Sequence, residues 1–391
     1  MLLSRYLFIQ KTYFIAFIVF MFFSVIFCNI SQVNLLFHFS LIVFVSITFF
    51  TKIGRADFFN DPSLLKILCV PIVFFAYYSA TNLWSSAPEN ITSAIKHSIY
   101  LLGFLCIYRQ AEKNGYKKYV VGAVFFGIIF LAILTIIFTD KSKLSWSRLK
   151  DGFPWAPDNV IDLGGYMVVG IYCGLIYIRE TGKNILYIFL PFMFIVLLLT
   201  QSRGPLLAFL LTFLLSLFFK PRATKKSIYI LLAALLVTIT LILTTDVFDY
   251  IIHRLERTSQ STDVRMNIWL YAFNLTKEHL YFGLGYNKIL NYINASGGNI
   301  TTTHSIYFGA ILKGGVIGLI LLLSLIGTGA LTIKNHLSNG QKLEAFFFLF
   351  CIIYYSVQGM FIIGNPQEFW YLFWLPLAIV LSTPIKKFVA S

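Results

Sequence analysis

Charged side chains are scarce in this sequence: Asp, Glu, Lys and Arg together make up 12% of its 391 residues. Soluble domains carry about 25%. Hydrophobic residues supply 58% and the mean hydropathy is +0.79, more than the core of a water-soluble protein of this size needs. The shortage of charge therefore excludes a soluble globular protein and predicts that the chain lies in a lipid bilayer.

Runs of about 20 apolar residues mark transmembrane helices, and we identify twelve such runs. The predicted spans are 12–30, 33–51, 65–84, 92–108, 119–138, 160–178, 185–200, 205–219, 228–245, 304–332, 343–363 and 369–385. The first run lacks a following small-residue cleavage site and is expected to stay as the first helix. We therefore predict an all-α integral membrane protein that forms a single polytopic domain over 1–391.

The sequence also lacks the groupings of disulfide and metal sites. Its five cysteines all fall within predicted spans and show no paired spacing. Asp246, Asp249 and Asp263, acids of the segments assigned to the outer face, are spread along the chain rather than aimed at one point. We therefore expect neither a metal ion nor a cofactor.

Acidic residues are fewer than basic ones, which leaves a net charge of +15. With both termini inside, nineteen Lys and Arg residues but only five acids fall in the segments assigned to the inner membrane face. The positive-inside rule accounts for this excess. Membrane lipids are therefore the expected surroundings of the basic residues, and no nucleic-acid partner is implied.

Two outer segments are long, 139–159 and 246–303, and function is expected where loops are long. In the first, the stretch 153–159 is rich in aromatic residues and proline. That composition suits stacking on sugar rings and equally suits an interfacial aromatic belt. The second is predicted to be a large periplasmic loop with helices lying on the membrane surface.

Apolar spacing predicts two helices inside the larger loop. One covers 247–257, and the other runs over 264–278 after the capping residues 261–263. Arg265 then stands in the first turn of the second helix, while Arg254 and Arg257 belong to the first. The three can clamp an anion, although a polar face binding lipid headgroups explains Arg254 and Arg257 as well.

The stretch TQSRGP at 200–205 joins two predicted spans. Pro205 suits the first turn of a new helix, so the Arg203 guanidinium is expected beside a helix N-terminus. Free N–H groups, the helix dipole and a forked cation suit a phosphate or diphosphate. The competing interpretation is an arginine that anchors the chain to headgroups, but anchoring cations favour the inner face.

His304 follows three threonines that can cap the helix beginning there. A positive helix end and nearby arginines keep imidazole neutral and able to accept a proton near pH 7. His304 is therefore a candidate general base acting on a hydroxyl. A structural role for a lone histidine is the alternative.

Four motifs occur in order: TQSRGP at 200–205, VRMNIWLYAF at 264–273, YFGLGY at 281–286 and HSIYFGAILKGGVIGLI at 304–320. Together they resemble the O-antigen ligase and polymerase superfamily of bacterial envelope enzymes. The resemblance implies a GT-C-like membrane glycosyltransferase with a polyprenyl-diphosphate-linked glycan as donor.

Carried over by position, the resemblance implies that Arg203 and Arg265 grip the donor diphosphate and that His304 is the base or orients the acceptor. Two residues depart from the family pattern. Ser305 stands where asparagine is usual, and Lys313 stands where the family often has glutamate. A lysine at that position can add an anion contact.

For the ligase branch, the resemblance implies transfer of polysaccharide from undecaprenyl diphosphate to a sugar hydroxyl of lipid A-core. Transfer is expected on the periplasmic side of the inner membrane, with inversion and without metal. A polymerase with a second lipid-linked glycan as acceptor is the nearest alternative. A transporter or flippase for the same lipid is a further alternative. Transporters usually have ionisable groups near the middle of the membrane and repeated halves, whereas here only Lys96 and Lys313 lie within spans and no repeat is found.

Overall fold

The computed structural model describes residues 2–140, 149, 153–218, 258–294, 297–359 and 361–382. Its helices are α1 (Leu2–Ile26), α2 (Asn34–Phe50), α3 (Lys52–Phe59), α4 (Leu64–Ala80), α5 (Ile91–Lys113), α6 (Lys117–Phe138), α7 (Val160–Thr181), α8 (Phe189–Leu199), α9 (Arg203–Phe218), α10 (Thr258–Thr276), α11 (Ile306–Ser338), α12 (Lys342–Ser356) and α13 (Leu375–Ser382). Short 3₁₀ turns cover Ser31–Val33, Thr81–Trp84, Pro88–Asn90, Asn184–Ile188 and Lys277–His279, and a π-helical turn, Trp370–Trp374, precedes α13. Strands β1 (Tyr292–Ile293) and β2 (Asn299–Ile300) pair antiparallel.

Seven helical segments of the described chain are long and apolar enough to cross a membrane, in agreement with an all-α membrane protein. They are Ser4–Ile26, Ser31–Phe50, Ile67–Trp84, Pro88–Lys113, Lys117–Phe138, Val160–Thr181 and Ile306–Ser338. Three further apolar helical segments, Asn184–Leu199, Arg203–Ser216 and Trp370–Ser382, are shorter. The described residues thus contain fewer full-length spans than the twelve predicted.

Two predicted spans, 228–245 and 343–363, are not among these segments. The span predicted at 228–245 lies outside the described residues. The helix predicted over 343–363 is wrong in its second half, because α12 ends at Ser356 and Val357 leaves the helical conformation. Gln358 and Gly359 interrupt the apolar run just after this point, and the Gln358 side chain turns inward to a buried partner, Asp162.

Glycines allow the central helices to approach closely. A Cβ on Gly127 of α6 would lie 2.7 Å from the Phe22 carbonyl oxygen of α1. A Cβ on Gly174 of α7 would lie 2.5 Å from the Phe125 ring of α6. Small residues of this kind let membrane helices gain dispersion contacts where lipid offers no hydrophobic drive for association. They hold α1, α6 and α7 as one packed unit.

At one end of the bundle, which we call the ion-pair end, a buried carboxylate joins three helices. Glu344, at the start of α12, accepts hydrogen bonds from Lys117 of α6 at 2.9 Å and from Arg179 of α7 at 2.5 and 2.9 Å. Its side chain is 0% exposed. The attraction is strong because little water screens the charges, so Glu344 fixes the spacing of α6, α7 and α12.

We expect Glu344→Gln to destabilise the protein by about 3 kcal/mol, since it leaves Lys117 and Arg179 with only their second partners, Glu112 and Glu180. Denaturant unfolding of the protein in detergent measures this. Glu180→Gln is the matched control, because Glu180 also pairs with Arg179 but its side chain is 37% exposed. That control is expected to lower the free energy of unfolding by about 1 kcal/mol or less. Equal losses in the two variants would contradict a special stabilising role of the buried Glu344.

Helix α11 is broken at Gly315, whose backbone has φ 62° and ψ −160°. The segment 280–285 fills the break: the Leu284 N–H donates to the Leu312 carbonyl at 2.9 Å, and the Val316 N–H donates to the Leu280 carbonyl at 2.8 Å. Only glycine allows this approach, since a Cβ on Gly283 would lie 2.5 Å from the Gly315 nitrogen. The motifs at 281–286 and 304–320 therefore interlock.

Helix α10 differs from its predicted start. It is already helical at Thr258, so the predicted capping residues 261–263 lie inside it and Arg265 lies two turns into it, not in the first turn. Buried Ile268 and Ala272 pack with Leu312 of α11 and Leu290. This cluster fixes α10 against the N-terminal part of α11. The other predicted loop helix, 247–257, lies outside the described residues.

Candidate functional site

The predicted motif at 200–205 lies at the end of the bundle opposite the ion-pair end, which we call the site end. Arg203 is the first residue of α9 and Pro205 lies in its first turn, as predicted. The Ser202 hydroxyl donates to the Val160 carbonyl at 3.1 Å, which holds the motif against the start of α7. The Arg203 side chain is half-buried, and as the first residue of α9 Arg203 stands at a helix N-terminus.

The backbone is strained in both predicted motifs. Among the described residues, only Gln201 (φ 51°) and His304 (φ 49°) combine a positive φ with a side chain. Such a conformation costs about 1–3 kcal/mol and persists only where the surroundings impose it, often at functional sites. Gly359 is one such neighbour, because a Cβ there would lie 2.3 Å from the His304 nitrogen. Strain at these two places marks them as candidate functional positions.

His304 lies just before α11, although the cap differs from the prediction. The helix begins at Ile306 with Ser305 at the N-cap. Thr303 does not cap it, since its hydroxyl donates to the Ser305 carbonyl at 2.7 Å. The half-buried His304 therefore stands two residues before the helix, in the turn that the strained backbone makes.

A tryptophan docks α10 beside His304. The Trp269 indole N–H donates to the Thr303 carbonyl at 2.9 Å. Its ring also stacks on Phe308, with ring centroids 5.1 Å apart and planes 10° from parallel. Arg265 precedes Trp269 by one turn on the same face of α10, so this docking turns Arg265 toward the end of the bundle that holds His304.

The three predicted residues form one electrostatic cluster. Burial, and then the charge of Arg265, lowers the pKa of His304. Burial, and then the charge of Arg203, lowers the pKa of Arg265. No carboxylate of the described residues forms an ion pair with Arg265. Arg265 is therefore close enough to both Arg203 and His304 for their charges to interact.

Lys313 has partners of another kind. Its ammonium donates to the carbonyls of Tyr286 and Lys288, the latter at 3.0 Å, and lies 5.3 Å from the centre of the Phe361 ring. Two of its three N–H donors thus secure the chain just after the segment 280–285 that fills the break in α11. The accessory anion contact expected of Lys313 stays a prediction.

Two groups of predicted site elements remain: Arg254 and Arg257, and the segment 153–159. Arg254 and Arg257 lie outside the described residues. In the segment 153–159, the Trp155 side chain is 45% exposed, and Asn29 at the end of α1 donates to Asp158 at 2.7 Å. This places the segment at the site end, where stacking on a sugar stays a prediction.

Comparison with known proteins covers the part of the chain that carries these motifs. Residues 188–323 match the family model described as "O-Antigen ligase". Over 158 residues the chain is 27% identical to an O-antigen ligase of Pseudomonas aeruginosa, a match that covers 40% of this chain and 39% of that relative. The family match includes Arg203, Arg265 and His304. Both comparisons support the assignment of this chain to the O-antigen ligase family.

Proposed function

We propose that the protein is an O-antigen ligase of the inner membrane that transfers polysaccharide from undecaprenyl diphosphate to a sugar hydroxyl of lipid A-core on the periplasmic face. The observation that carries the proposal is the electrostatic cluster of Arg203, Arg265 and His304 at one end of the bundle. The family match over 188–323 supports it.

The arginines act on the donor in this proposal. As the bond between the sugar anomeric carbon and the diphosphate oxygen breaks, negative charge develops on the leaving diphosphate. Arg203 and Arg265 stabilise that charge in a half-buried setting, where a fixed cation is worth more than in water. They supply the positive charge that a metal ion would otherwise give, so transfer proceeds without metal.

His304 acts on the acceptor. The acceptor oxygen attacks the anomeric carbon from the side opposite the diphosphate, which inverts the configuration. The oxygen loses its proton as the new bond forms, and the neutral imidazole accepts it. The lowered pKa of His304 keeps the ring neutral before the reaction. Holding donor and acceptor in line adds the entropic advantage of a unimolecular step.

A deletion strain tests the proposal through its lipopolysaccharide, separated on a gel. Loss of a ligase is expected to leave bare lipid A-core and to accumulate lipid-linked polymer, and the native chain restores the ladder. A single repeat attached to core would instead identify a polymerase. Purified protein that moves the lipid-linked glycan across vesicles without joining it to an acceptor would identify a transporter.

The pH dependence of transfer tests the proposed base. Because the imidazole must be neutral and its pKa is lowered, we expect the rate to fall only when the pH drops below the ordinary histidine value of about 6.5. Arg265→Gln removes one cause of the lowered His304 pKa. The fall in rate at low pH, which is the acid limb of the pH profile, is therefore expected to begin at a higher pH. Burial is the larger cause, so the shift is partial.

The measurement is the rate at saturating donor for purified protein in lipid nanodiscs. Lys277→Gln is the matched control, since it removes a cation just beyond the other end of α10. It is expected to leave the acid limb in place. An acid limb that stays fixed in Arg265→Gln would contradict the assignment of that limb to His304.

A further inference from the structure

A buried acid, Asp162, lies in the first turn of α7 and accepts hydrogen bonds from α12 and from the chain that follows it. Asp162 is 0% exposed. One carboxylate oxygen, Oδ1, accepts hydrogen bonds from the Tyr354 hydroxyl at 2.5 Å and from the Gln358 amide at 2.6 Å. The other oxygen accepts none from the described residues. Asp162 and Gln358 both lie outside the segment that matches the family model.

Gln358 belongs to a three-residue strap, residues 357–359, that follows α12. The side chain of Gln358 is buried, at 3% exposure. On one side of it, Gly359 touches the backbone of His304, since an added Cβ would lie 2.3 Å from the His304 nitrogen and 2.7 Å from its Cα. On the other side, Val357 packs on Gly204, where an added Cβ would lie 3.3 Å from Val357 Cγ2.

The strap thus spans the two motifs that carry the proposed chemistry. Val357 meets the residue that follows Arg203, and Gly359 meets His304 itself. The turn of α7 that contains Asp162 also contacts the first motif, because the Val160 carbonyl accepts the Ser202 hydroxyl. One buried carboxylate therefore bears on both motifs, once through its own helix and once through the strap.

We propose that Asp162 is a positioning residue that sets the spacing of His304 from Arg203 by holding Gln358 of the strap. This inference rests on the proposed function. The Asp162 carboxylate draws the Gln358 amide into the bundle, and the strap then presses Gly359 against the strained His304 backbone. Without that contact, His304 relaxes toward an ordinary conformation and its ring leaves the line between acceptor and donor.

The test reverses the hydrogen bond between positions 162 and 358, so that the residue that accepts it becomes the one that donates it. Gln358→Glu sets a second carboxylate against Asp162, and we expect the rate at saturating donor to fall about 10- to 100-fold while the donor KM changes by about threefold or less. The double variant D162N/Q358E restores a hydrogen bond between the same positions, with an amide donating to a carboxylate in the opposite sense. We expect it to recover the rate to within about threefold.

Tyr354→Phe is the matched control, because it removes the other hydrogen bond to the same oxygen from a residue that lies in α12 and not in the strap. We expect its rate to stay within about threefold of native. A merely structural role for Asp162 predicts instead that both single variants lose activity in step with their thermal stability.

Hydrogen exchange gives a readout that does not depend on activity. Backbone amides at 357–359 and 303–305 are expected to exchange faster in Gln358→Glu, but at native rates in Tyr354→Phe and in the double variant. Unchanged exchange at 303–305 in Gln358→Glu, or a double variant as inactive as the single, would overturn the inference. A native protein that transfers no glycan would refute the proposed function, and the exchange result alone would then decide whether Asp162 positions His304.

Discussion

We expect glycan transfer to fall by about 100-fold or more when His304 is replaced with alanine, because the acceptor hydroxyl then loses the proposed general base. The membrane level of the variant is expected to match that of the native protein, since the His304 ring is half-buried at the edge of the bundle rather than in its core. The measurement is the rate of polymer attachment to lipid A-core by purified protein, followed on a gel.

Two further variants separate chemistry from backbone strain. His304→Asn introduces a residue that tolerates a positive φ but does not accept a proton near pH 7, so it is expected to be inactive and as stable as the native protein. His279→Ala is the matched control, because His279 is exposed in the 3₁₀ turn after α10, and it is expected to keep the native rate. A His304→Ala variant that keeps the native rate would remove the base from the mechanism.

The second large effect is expected at the two arginines. Replacing Arg203 or Arg265 with lysine keeps the charge but removes the planar fork that contacts two oxygens at once. We expect each change to lower the rate at saturating donor by about 100-fold. The donor KM is expected to change less, because the stabilised charge develops only as the diphosphate leaves.

In the proposed mechanism the two arginines stabilise the same developing charge, so their effects are not expected to add. The double variant R203K/R265K should lose less than the product of the two single losses. Lys277→Ala, which removes a cation beyond the far end of α10, is the control and is expected to keep the native rate. Independent, multiplicative losses would show that the two side chains do not act on one leaving group.

Local signals in the sequence were sufficient where a helix start depends only on neighbouring residues. Pro205 marked the start of a helix, and α9 does begin at Arg203. The capping residues 261–263 were misleading because side-chain caps act only where the preceding chain leaves the helix, and α10 is already helical at Thr258. Thr303 misled for a different reason: it precedes the helix as a cap should, but its hydroxyl donates to the Ser305 carbonyl.

Long-range contacts account for what the sequence analysis missed. Gly359 is a local stop signal inside the apolar run 343–363, but the partner of the neighbouring Gln358 is Asp162, almost 200 positions away along the chain. Asp162 itself carried a signal that was overlooked: it falls in the predicted span 160–178, although only Lys96 and Lys313 were counted within spans, and an acid there is expensive unless it has a partner. The break at Gly315 was signalled only by a glycine pair within 304–332, and its partner segment could not be inferred from spacing.

The interlock between 280–285 and the broken α11 also bears on how the chain is assembled during synthesis. The backbone of α11 around its break obtains its partners from residues such as Leu280 and Leu284, which leave the ribosome first. An open helix break is costly in hydrocarbon, but here the upstream segment is already made when α11 emerges. Because the segment 280–285 precedes α11 in the chain, it is available to pair with the broken helix when α11 enters the bilayer.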